Sequence, residues 1–107
     1  MRLKEIKFRI ELAEQKMAEI EAIQCSRGTD LDYLSLRMED LKDFLEDIRS
    51  SIERFLEYSR NGLLLKVCKF FLEKLLSISE KLKLNYLHPG GYLLPFYILD
   101  TIEMTRS

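Results

Sequence analysis

The sequence has no tryptophan, one histidine, two cysteines, two prolines and four glycines among its 107 residues. Each shortage removes a class of chemistry. One histidine cannot supply a paired-histidine metal site or the facing Glu-x-x-His motifs of a di-iron bundle, so no metal and no cofactor is expected. Cys25 and Cys68 lie far apart and match no metal or redox spacing. They read as two reduced, half-buried thiols in a cytoplasmic protein. The few glycines exclude a phosphate cradle, since Gly90-Gly91 lacks the further glycines and the strand–turn–helix setting that one needs. That pair reads as a loop hinge.

Charge of one sign is also missing. Seventeen Lys and Arg stand against 18 Asp and Glu, a net charge of −1. A dedicated nucleic-acid binder carries a strong basic excess, so the total counts against one. No long apolar run is present either. The longest uncharged stretch, Leu84 to Leu99, is interrupted by His88, Pro89, Gly90, Gly91 and Pro95. It falls short of the ~20 apolar residues of a membrane span. The charged start, with Arg2, Lys4, Glu5, Lys7 and Arg9, has no apolar core of a signal peptide.

What is there favours helices. The chain is 47% hydrophobic and 33% charged with few turn formers, which suits long helices with charged surfaces. Its length fits one domain, residues 1–107. Leu3, Ile6, Ile10, Ala13, Met17 and Ile20 recur in alternating steps of three and four, predicting a heptad-patterned helix from about Arg2 to Cys25. Phe8, Leu12 and Ile23 lie off that seam and suggest contact with more than one neighbour. Gly28 suits the left-handed end of a helix. Thr29, with Asp32 three residues on, predicts the cap of the next.

The second segment repeats the pattern with Leu31, Leu34, Met38, Leu41, Leu45, Ile48, Ile52 and Phe55. Matching heptads on both sides of a short break predict an antiparallel hairpin over residues 2–59. After Asn61-Gly62 comes a more apolar helix, 63–84, with a narrow polar stripe of Lys66, Lys69, Glu73, Ser77 and Glu80. Such a helix is central in a bundle or lies in an oligomer interface. Residues 85–91 read as a loop. Residues 92–104 read as a short helix with Pro95 in its first turn, and 105–107 as a fraying end. The fold class is therefore all-α, a heptad-patterned hairpin packed with a third apolar helix and a short C-terminal helix.

Candidate chemistry is thin. His88 precedes Pro89 in a loop with no nucleophile in a motif beside it, and reads as a surface histidine. Ser50, Ser51, Ser77 and Ser79 fall inside helical patterns, outside any G-x-S-x-G elbow. No enzymatic activity is expected. Charge is divided along the chain: residues 30–57 hold nine acids and four bases, whereas residues 60–88 hold six bases and two acids. The acidic face of the second helix is expected to be solvated or paired with the basic third.

Two surfaces remain. Phe70, Phe71, Tyr86, Tyr92, Phe96 and Tyr97 form a candidate interface, because aromatic residues concentrate in interface cores. Lys66, Lys69, Lys74, Lys81 and Lys83 form a candidate basic surface. The expected function is a non-enzymatic helical interaction or assembly module. It would self-associate, as a homo-oligomer or with a protein partner, through the third helix and the aromatic C-terminal segment. The alternative is a small helical subunit of a larger complex that binds nucleic acid through the basic 60–83 region.

Overall fold

The computed structural model describes residues 2–26, 28, 30–59, 61–86 and 89–106. Four helices follow one another: α1 (Leu3–Gln24), α2 (Leu31–Tyr58), α3 (Gly62–Lys83) and α4 (Leu94–Glu103), with one 3-10 turn at Pro89–Gly91 before α4. No strand occurs among the described residues. The first three helices pack against one another, and α4 packs on α3 and α2, giving an all-helical bundle. The molecule measures 50 × 28 × 15 Å. Its long dimension follows α2, whose 28 residues span about 42 Å at 1.5 Å each.

The seam of α1 is buried as its spacing predicts: Ile6, Ile10, Ala13, Met17 and Ile20 are all at most 2% exposed. Leu12 and Ile23 are half-buried beside it, while Phe8 faces solvent. On α2 the buried row is Leu34, Met38, Leu41, Leu45, Ile48, Ile52 and Leu56. It departs from the expected heptad at both ends. Leu31 is exposed in the first turn, and Leu56 takes the inward place expected of Phe55, which is half-buried. A straight helix turns 3.6 residues per turn and drifts ~20° per heptad, so the inward position moves on by one residue along a helix of this length.

The breaks are built from local hydrogen bonds. Gly28 has φ +75°, the left-handed conformation that glycine adopts without steric cost. The cap of α2 is Asp30 rather than Thr29, which lies outside the described residues. An Asp30 carboxylate oxygen accepts from the backbone N–H of Asp32 at 2.9 Å and of Tyr33 at 3.4 Å. A carboxylate here also meets the positive end of the helix dipole, an advantage a threonine lacks. Asn61 caps α3 by accepting from Leu63 N–H at 2.8 Å.

α3 is the central helix. Its buried row, Leu65, Cys68, Phe71, Leu72, Leu75, Ile78, Ser79 and Leu82, meets all three other helices. α4 is shorter than expected, because Tyr92 turns into the core before the helix begins. Of the end expected to fray, Thr105 packs into the fold and Arg106 is exposed. Thr105 is buried and donates to the carbonyl of Ile102, and Arg106 N–H donates to the carbonyl of Glu103. His88 lies outside the described residues.

Candidate interaction surface

Tyr86, Tyr92 and Thr101 each tie the C-terminal part of the chain to α2 or α3 by a side-chain hydrogen bond. Tyr92 is 3% exposed, and its hydroxyl shares a 3.1 Å hydrogen bond with buried Ser79 on α3. Tyr86 stacks on Tyr92 with ring centroids 4.8 Å apart and donates to Glu39 of α2 at 3.3 Å. Burial pushes the Tyr92 phenol up to about 12, although the bond to Ser79 works the other way. Burial also raises the Tyr86 phenol, with the Glu39 charge adding to the effect.

The third contact is Arg49 of α2. Its guanidinium reaches Glu46 and Glu53 on its own helix and donates to the Thr101 hydroxyl of α4 at 2.9 Å. The Thr101 hydroxyl in turn donates to the carbonyl of Tyr97 at 3.0 Å. Hydrogen bonding to Glu46 is the main influence that holds this arginine charged, above its usual range and against the cost of burial. The Glu46, Arg49, Glu53 spacing of three and four was visible in the sequence. That the guanidinium also reaches α4 was not.

The predicted aromatic interface divides. Phe71 and Tyr92 are core residues, 7% and 3% exposed, and drop out of any surface. Their apolar area is already covered by α3, α4 and the helices beneath. Tyr86 is half-buried in the stack. Phe70, Phe96 and Tyr97 face solvent at 54%, 55% and 47%. Leu93 and Leu99 are exposed beside the last two, so α4 turns an apolar outer face away from the bundle. Between α2 and α4 runs a groove of about 330 Å³, with Lys42, Asp43 and Glu46 on one wall and Leu93 and Tyr97 on the other.

The lysines of α3 divide among its neighbours: Lys74 and Lys81 border α1, Lys66 and Lys69 border Thr105 and Arg106, and Lys83 borders α4. Lys66, Lys69, Lys74 and Lys81 are exposed and Lys83 half-exposed. Lys74 Nζ lies 5.1 Å from the centre of the Phe70 ring, and Lys83 Nζ lies 5.7 Å from that of Phe96. Of the two expectations for the acidic face of α2, solvated or paired with basic α3, the pairing is not found among the described residues. Among the described residues the ion pairs are Arg37–Glu19, Lys42–Glu39, Arg49–Glu46, Arg49–Glu53 and Arg106–Glu103. None joins α2 to α3, so each keeps a free charged face of opposite sign.

Among the described residues no group of three or more His, Cys, Asp or Glu could hold a metal ion. No helix of the described residues is long and apolar enough to cross a membrane. Both cysteines are free, Cys25 exposed and Cys68 buried, and burial raises the Cys68 thiol. Comparison with protein-family models, curated proteins and solved structures gives no match.

Proposed function

We propose that this protein is a non-enzymatic helical assembly module that self-associates through the outer faces of α3 and α4. The observation that carries the reading is the row of exposed apolar side chains on α4, Leu93, Phe96, Tyr97 and Leu99, with Phe70 on α3. Aromatic anchors on a rigid helix surface are what interface cores are made of. The shape supports it. The accessible surface is 7050 Å², against about 6200 Å² expected of a compact monomer of 12.7 kDa. Two free thiols suit a reducing compartment, and we place the protein in the cytoplasm.

Sedimentation velocity from low to high micromolar concentration tests the reading. The expected result is a concentration-dependent rise in mass that Phe96→Asp weakens while leaving the helical circular dichroism unchanged. A wild-type chain that stays monomeric throughout would overturn it.

A second reading rests on the lysines. Lys66, Lys69, Lys74, Lys81 and Lys83 have no carboxylate partner among the described residues, which leaves them available for phosphates. Binding to single- or double-stranded nucleic acid would then fall steeply with salt. Absence of binding at low salt removes it.

A further inference from the structure

The free acidic face of α2 and the free basic face of α3 share one layout. On α2, exposed Leu36 is flanked by exposed Asp32 and Asp40, each four residues away, with Asp47 further along the same stripe. On α3, exposed Phe70 is flanked by exposed Lys66 and Lys74, each four residues away, with Lys81 further along. Residues four apart on a helix are surface neighbours about 6 Å apart, so each set forms one narrow stripe. Every member of the basic stripe stands 34 positions after its acidic counterpart, so the two stripes have the same pitch and the opposite charge.

Among the described residues no ion pair ties up either stripe: none includes Asp32, Asp40, Asp47, Lys66, Lys74 or Lys81. Glu14 and Glu21 of α1 line a groove with Lys74 and Lys81 without forming an ion pair to either. Within one chain the stripes cannot meet, because α2 and α3 pack through their opposite, apolar sides. A second copy supplies the missing face.

We propose that the α3 stripe of one copy docks on the α2 stripe of another, with Phe70 against Leu36. The parallel register sets Asp32 level with Lys66, Asp40 with Lys74 and Asp47 with Lys81. The antiparallel register keeps only two such pairs around the same apolar contact. Charge then selects partner and register, and the Phe70–Leu36 contact supplies apolar burial at the centre. This inference rests on the self-association proposed above, keeps its α3 face and assigns α2 of the second copy as the surface that face meets.

A charge-swap experiment tests it. One variant carries Lys74→Glu and Lys81→Glu, and the other carries Asp40→Lys and Asp47→Lys. All four positions are exposed and none is in an ion pair among the described residues, and circular dichroism of each variant checks that it keeps its helices. Sedimentation velocity at low salt is expected to show each variant self-associating about a hundredfold more weakly than wild type. An equimolar mixture is expected to regain association, because the two glutamates added to α3 of one variant now meet the two lysines added to α2 of the other. Phe70→Ser is expected to weaken association without altering its salt dependence.

If wild type assembles and both variants assemble equally well, or if the mixture does not regain association, the α2–α3 pairing is wrong and self-association stands on other surfaces. A monomeric wild type sinks both. A monomer that binds nucleic acid, and loses that binding in the lysine variant, replaces the second copy with phosphates as the occupant.

Discussion

Phe71 and Phe96 are both aromatic, both near lysines, and indistinguishable in kind by sequence. Phe71 is packed against the core and Phe96 lies on its edge. Phe71→Ala should therefore cost about 3–5 kcal/mol of stability, the range for a buried phenylalanine. Phe96→Ala should cost less than about 1 kcal/mol, since surface substitutions away from special features change little. Urea unfolding of the two variants reads the difference, and equal costs would contradict their placement. Tyr92 adds a pH dependence. Its phenol is held neutral in the fold, pushed up to about 12 from an ordinary value of about 10. The stability this gives is complete below about pH 10 and is lost as pH rises toward 12, because the unfolded chain ionises first. Urea midpoints measured across that window should fall less steeply in Tyr92→Phe than in wild type.

The helices as elements were legible before the structure, and the contacts that dock them were not. The α1 and α2 rows followed from spacing except at the ends of α2, where Leu31 is exposed and helical drift puts Leu56 in place of Phe55. The cap of α2 was misplaced by one residue because Thr29 and Asp30 are both good caps, and only backbone geometry chooses between them. Asp30→Ala should cost about 1 kcal/mol, readable as a lowered thermal midpoint. α4 depends on a contact from another element, Arg49 to Thr101. Arg49→Lys keeps the charge but cannot span Glu46, Glu53 and Thr101 at once. It should speed amide exchange in residues 94–103 selectively and cost about 1–2 kcal/mol overall. Exchange that rises equally in α1 would show that Arg49 holds the whole bundle rather than α4.

At the scale of the molecule, the near-neutral total conceals two free faces of opposite sign. The Cα radius of gyration is 14.7 Å, against about 13 Å for a compact chain of this length. An elongated bundle with one acidic and one basic side presents the charges it would need to order a second copy. Added salt should therefore weaken association, since exposed pairs beyond about 10 Å are screened at 0.1 M. Association that strengthens steadily with salt would point instead to the apolar face of α4 as the whole driving surface.

The sequence by itself determined the helical class, the inward rows of α1 and α2, the breaks at Gly28 and Asn61, and the division of charge between residues 30–57 and 60–88. These depend on periodicity and on local capping, which act over a few residues. Tertiary structure alone decided which aromatics are core and which are surface. It also decided that Arg49 fastens α4, and that among the described residues no ion pair joins the acidic helix to the basic one. Those outcomes depend on how each helix is rotated about its axis when it packs. That rotation is set by all its neighbours together, and no single segment encodes it.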